Sequence, residues 1–195
     1  MNFRTLSFIA AAIVFSLPLF CKESSQKMTA LSIREQALKQ DSVQESISFV
    51  QNHLEEAQTL ADKRSALCFL GELQEQLGVY SEASLSYVKA AGIAAGDAAG
   101  VPKVSTEQLV LNAVRCCLNS GDAENAESYL NSAVRSSKNE EVQAYVKLYS
   151  VWTSLCKASS FEDTLDSIQL LKAYSAMDSM EFVKPSVLYT LWYLS

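Results

Sequence analysis

Between Lys22 and Ser195 the chain carries only two prolines, Pro102 and Pro185, so the long stretches on either side of Pro102 hold no residue that must break a helix. Apolar spacing in those stretches is helical rather than alternating. Val43, Ile47, Val50 and Leu54 recur at i, i+4, i+7 and i+11, and Val142, Tyr145, Tyr149, Trp152 and Cys156 continue the same periodicity, as do Phe161, Leu165, Ile168 and Leu171. No segment alternates as a half-buried strand would, and the expected fold class is all-α. Gly92, Gly96 and Gly100 crowd one segment that ends in Val101 and Pro102, which reads as a flexible connection, while Gly71, Gly78 and Gly121 stand singly.

Start signals divide the helical material. Ser42 with Glu45, Ser105 with Gln108, and Ser137 with Glu140 have capping-box spacing, in which side chains satisfy the free amides of a first turn. The expected helices are 29 to 39, 43 to 57, 62 to 77, 81 to 95, 106 to 120, 123 to 135, 140 to 158, 161 to 175 and 186 to 194. Apart from 96 to 105 their connections are short, which makes consecutive helices antiparallel hairpins.

The beginning of the chain is different in kind. Arg4 precedes an apolar run from Leu6 to Phe20, and polarity starts at Lys22, which is the pattern of a secretory signal. The run is too short to span a bilayer comfortably and contains Pro18. The expected organisation is a signal peptide at 1–21, a linker at 22–28 and a helical domain at 29–195, in the periplasm or cell envelope. Cys21 stands where a bacterial lipoprotein carries its lipidated cysteine, although Phe20 replaces the small residue usual before it. Simple cleavage, lipidation at Cys21 and a retained anchor stay open, and membrane contact is expected only through Cys21.

Composition removes several functions. Apolar residues make up 49% of the chain, enough for a core, and charged residues 19%. The net charge is −6 and the only adjacent basic pair is Lys63 and Arg64, so no basic stripe exists for nucleic acid. With one histidine, His53, a nucleophile–base arrangement has a single candidate, and it is expected as a surface or interface residue. Glu55 with Glu56, and Glu140 with Glu141, are neighbours on helices and diverge. Cys68, Cys116, Cys117 and Cys156 lie among apolar helical residues at spacings that match no disulfide or zinc framework, and are expected as buried small hydrophobes. The 92–100 segment lacks the Lys-Ser/Thr ending of a phosphate cradle. No catalytic residue, metal or cofactor is expected.

Superimposing Leu70–Ala90 on Ala113–Ala133 places Gly78, Tyr80, Ala83, Tyr87 and Ala90 over Gly121, Ala123, Ala126, Leu130 and Ala133. With Leu70-Gly71 ahead of it, the first copy resembles the tetratricopeptide (TPR) family, whose repeat of about 34 residues pairs two helices around small and aromatic positions. Val43 and Phe161 extend the register, giving steps of 37, 43 and 38 residues from 43 to 80, 80 to 123 and 123 to 161. The resemblance implies TPR-like antiparallel hairpins stacked into a short right-handed α-solenoid, with the first helix of each hairpin lining a concave groove. It places Ser65, Cys68, Glu72 and Gln76, then Gln108, Leu111, Arg115 and Asn119, then Tyr149 and Thr153, on that groove. Glu72 opposes the basic cluster by which some TPR domains hold a C-terminal carboxylate.

The implied function is an exported bacterial scaffold that binds a protein or peptide; a periplasmic helical hydrolase or ligand-binding domain is the alternative. From Val183 through Trp192 the chain also resembles the helical region preceding a SPOR domain in bacterial envelope proteins. Val187, Leu188, Leu191, Trp192 and Leu194 form an apolar surface there. It is expected to belong to an incomplete hairpin and to drive association, either within a longer protein or with a partner.

Overall fold

A computed structural model describes residues 27–135 and 137–194. The expected signal peptide at 1–21, Cys21 and residues 22–26 of the expected linker lie outside the described residues. Those described form nine α-helices: α1 (Ala30–Ala37), α2 (Val43–His53), α3 (Leu60–Gln76), α4 (Tyr80–Ala91), α5 (Thr106–Asn119), α6 (Ala123–Tyr129), α7 (Glu140–Lys157), α8 (Phe161–Ser175) and α9 (Lys184–Tyr193). Short 3-10 turns at Leu54–Glu56 and Asp178–Val183, and a π turn at Leu130–Val134, extend α2, precede α9 and extend α6. Among the described residues no strand forms; an isolated bridge between Met28 and Ala57 ties the entering chain to the α2–α3 connection. The fold is all-α. None of these helices is long and apolar enough to cross a membrane.

Caps explain the boundaries. Ser42 and Ser105 accept from the amides of Glu45 and Gln108, as their spacing suggests, but neither forms a reciprocal box. Glu45 instead accepts from the Asp41 amide, and the Gln108 amide group donates to Asn112. Ser137 is not a cap. Asn139 caps α7 by accepting from Val142, while the Ser137 hydroxyl donates to Glu107 at 2.8 Å. The complete boxes are Thr59 with Asp62 and Ser160 with Asp163, where the shorter Asp takes the place of Glu or Gln. Asp62 also accepts from the Ala30 amide at 2.8 Å, so one buried carboxylate begins both α1 and α3.

Two turns have the same construction. α3 ends with Gly78 at φ +77°, its amide donating to Glu75 and the Val79 amide to Gln74. α5 ends with Gly121 at φ +80°, its amide donating to Leu118 and the Asp122 amide to Cys117. This is the Schellman arrangement, in which a left-handed residue returns the chain sharply while satisfying the last carbonyls, and glycine adopts it without steric cost. The aligned positions Val43, Tyr80, Ala123 and Phe161 are the first residues of α2, α4, α6 and α8.

Burial is layered along the chain. Ile33, Ile47, Val50, Phe69 and Leu70 join α1, α2 and α3; Leu67, Ala83, Tyr87, Leu109 and Ala113 join α3, α4 and α5. A third cluster runs from Val110 and Val114 through Leu148, Leu171 and Met180 to Val187. α3 and α5 each contribute to two clusters and are therefore buried on two sides. Between them the Tyr87 ring lies against Gly71, where a Cβ would come within 2.8 Å of the ring.

Candidate partner-binding site

A cavity of about 150 Å³ lies between α1, α3, the start of α5 and the 96–104 segment. Its wall on α3 consists of Arg64, Ser65, Cys68, Phe69 and Glu72, which recur at helical spacing on one side of that helix. Arg34 closes it from α1 and Leu109 from α5.

The glycine-rich segment is packed rather than a free connection, because its glycines let it approach closely. A Cβ at Gly96 would stand 3.0 Å from that of Ala61, and one at Gly100 2.9 Å from Leu31 Cδ2. Arg64 holds the segment's two ends. Although charged, it is only 4% exposed, and it donates to the carbonyls of Ala90 at 3.1 Å, of Ile93, and of Val104 at 3.0 Å, and to the Thr106 hydroxyl at 3.2 Å. Ala90 lies in the last turn of α4, where its carbonyl also accepts from the Ile93 amide and the helix dipole favours a cation.

Glu72 lies 3.6 Å from the Arg34 guanidinium, an ion pair longer than a hydrogen bond, and Arg34 also stands over the Phe69 ring at 4.6 Å. Burial pushes the Cys68 thiol up to about 12, with the Glu72 charge adding to it, so at neutral pH Cys68 is a protonated thiol rather than a nucleophile. Lys103 pairs with Asp97 at 3.0 Å on the outer rim.

Of the ten residues expected on a groove, Ser65, Cys68 and Glu72 are brought together in this cavity. Gln76, Gln108 and Asn119 are exposed, and Arg115 is half-buried with its guanidinium donating to Glu75 at 2.9 Å, which links α5 to α3. Three positions are core instead. Leu111 is buried in the third cluster; Tyr149 is buried there too, its phenol pushed up to about 12 by desolvation; and the buried Thr153 hydroxyl donates to the Tyr149 carbonyl. They are buried because α5 and α7 pack on both sides, whereas the groove reading allots each such helix one open face.

Arg34, Arg64, Phe69, Leu109 and the 96–104 segment with Lys103 are not among the residues the sequence places on a site. The signal for the segment is the apolar Val101 and Val104 that follow its last glycine.

Several of the remaining chemistry-bearing residues have structural partners. His53 stacks on Phe49 at 4.1 Å, and its Nδ1 is 2.7 Å from the Phe49 carbonyl. Glu55 accepts from Lys63 at 2.6 Å. Cys116 donates to Glu75, and Cys116 and Cys117 are buried; Cys156, contrary to expectation, is exposed. These cysteines and Cys68 are free thiols. Among the described residues no group of His, Cys, Asp and Glu is placed to hold a metal.

The apolar residues of α9 divide. Val187 is fully buried and Leu191 and Leu194 pack against the third cluster, so they are not part of an open surface, whereas Leu188, Tyr189, Trp192 and Tyr193 are exposed. Residues 156–195, which include α8 and α9 but not the cavity, match a family model, TP_0752_M, described as a middle domain. No curated protein and no solved structure matches the chain.

Proposed function

We propose that the chain is an exported bacterial interaction scaffold: a TPR-like array of helical hairpins that binds a protein or peptide in the periplasm or cell envelope. The observation that carries this reading is the repeated turn. Gly78 and Gly121 close α3 and α5 with one geometry, each leads directly into the next helix, and Gly71 admits the Tyr87 ring between the paired helices. Stacked units of this kind bury a continuous core while leaving one edge of each unit open, which suits extended partners. The cavity lies on α3, a first helix of a hairpin in this register, and Gln76, Gln108 and Asn119 supply exposed amides on α3 and α5. Export is supported by the apolar run from Leu6 to Phe20 behind Arg4.

The test is affinity capture from envelope extract, comparing the parent with a Gln76→Arg, Gln108→Arg, Asn119→Arg variant. A partner that is reproducibly retained by the parent and lost by the variant supports the reading. Capture unchanged by the variant removes α3 and α5 as the binding face. Intact mass of the native protein tests export, since a product that keeps Met1 has not been processed.

A further inference from the structure

The cavity beside α3 is matched in size and charge to one kind of occupant. At about 150 Å³ it is comparable to an interior cavity that accepts a benzene-sized group, and smaller than the roughly 300–1,000 Å³ of sites that enclose a whole small molecule. Its wall is apolar at Phe69, Leu109 and Val101. Its charged lining is three cations, Arg34, Arg64 and Lys103, to one carboxylate, Glu72, in a chain whose net charge is −6. Arg64 stays as a fixed buried charge, since its donors go to carbonyls and a hydroxyl and not to a carboxylate. Arg34 has its Glu72 partner beyond hydrogen-bond range, and the Lys103–Asp97 pair is exposed enough for water to weaken it.

We propose, on the reading of the chain as an interaction scaffold, that this cavity anchors the partner by taking one Phe- or Leu-sized side chain from an extended segment. An Asp or Glu adjoining that residue meets Arg34 and Lys103. Only a side chain fits the enclosed volume, so the partner's backbone stays outside, across the mouth. A basic neighbour meets the excess of positive charge left after Glu72 and Asp97, whereas a carboxylate offsets it.

Three peptides of equal length in a Ser-Gly background, acetylated and amidated so that no terminal carboxylate is present, test this with the full chain. Their centres are Asp-Phe-Asp, Lys-Phe-Lys and Asp-Gly-Asp. Titration calorimetry should show Asp-Phe-Asp binding at least about tenfold more tightly than either of the others, a difference of about 1.4 kcal/mol. Ala98→Phe, which fills the cavity from the loop, and Lys103→Glu, which reverses an exposed charge, should each weaken it by about tenfold or more. Lys103→Glu leaves the core untouched and decides the matter if Ala98→Phe disturbs the fold. Equal binding of the three peptides, no binding of Asp-Phe-Asp, or binding indifferent to Lys103→Glu overturns the proposal. If both variants still capture the envelope partner, the scaffold reading stands and the cavity assignment falls. If the peptide binds but no envelope partner is captured, the assignment stands and the scaffold reading falls.

Discussion

Gly71 is the position where a single added carbon has the most predictable cost. It is buried in the middle of α3, and an ideal Cβ there would lie 2.8 Å from both Cε1 and Cζ of Tyr87, against about 3.5–4.0 Å for carbons at optimal separation. Tyr87 is 1% exposed and packed among α3, α4 and α5, so its ring has no open direction in which to retreat. Replacing a helix-interior glycine by alanine gains about 1 kcal/mol of propensity, and overpacking a tight core costs about 1–3 kcal/mol. Gly71→Ala should therefore lose up to about 2 kcal/mol net, and Gly71→Leu, which drives three further carbons into the ring, about 3 kcal/mol or more. For a chain of this length each kcal/mol corresponds to roughly 2–4 °C in Tm. Urea unfolding followed by circular dichroism gives the free energies, and a double-mutant cycle with Tyr87→Leu isolates the contact. Once the ring is gone, Gly71→Ala should become neutral or stabilising by up to about 1 kcal/mol, a coupling of about 1–3 kcal/mol. If Gly71→Ala stabilises the parent, and by the same amount with and without the ring, the close approach of α3 and α4 is not what requires glycine.

The other expectations concern turns, the buried arginine, thiols and α9. Gly78→Ala and Gly121→Ala should each cost about 1–2 kcal/mol and agree closely, since each left-handed turn leaves a Cβ uncrowded and the strain is purely conformational; urea melts that differ widely would deny the turns a common geometry. Arg64→Met should cost about 2–4 kcal/mol by orphaning the carbonyls of Ile93 and Val104 and removing a second donor from that of Ala90, and hydrogen exchange should rise first between residues 93 and 105. Stability should fall as pH rises above about 9, because the unfolded chain's thiols ionise there while burial holds the Cys68 proton to about pH 12, and holds those of Cys116 and Cys117 upward as well. Between those limits the unfolded state binds fewer protons, for a slope of up to about −1.4 kcal/mol per pH unit per thiol, which Cys68→Ala should reduce in urea melts at pH 8 to 11. Leu191→Ser should destabilise the fold, whereas Leu188→Ser with Tyr193→Ser should leave the melt unchanged and diminish association in sedimentation; the reverse pattern would mean that α9 presents the other face.

Helix positions were legible because their causes are local. Caps at Ser42 and Ser105, glycines at 78 and 121, and a proline in the first turn of α9 act within a few residues of themselves. Local competition was harder to read. Ser137 and Asn139 are both cap-forming types two residues apart, and Asn139 holds the cap while Ser137 is drawn to Glu107, thirty residues back. Burial of Leu111, Tyr149 and Thr153 is a tertiary fact, since nothing within α5 or α7 says that a second layer covers the face opposite the first. The cavity was half legible: the repeat resemblance places Ser65, Cys68 and Glu72 together on one side of α3. Arg34 and Lys103 join them only because α1 packs on α3 and the 96–104 segment folds back over both.

That return of the segment makes the site and the local stability of the fold one question. Arg64 reads in the sequence as half of an adjacent basic pair with Lys63, yet it is buried and bonded to both ends of the loop that walls the cavity. Opening the loop would strip a buried guanidinium of carbonyl partners, so the closed position is favoured without any ligand. An occupant that fits the cavity meets a wall already formed and spends little of its binding free energy on ordering it. Such an occupant, touching Ala98 and Val101 from inside, binds the closed loop and not the open one. By linkage it must slow hydrogen exchange in residues 93–105 in proportion to its occupancy, and Arg64→Met must weaken its binding both by releasing the loop and by removing a charge from the cavity lining.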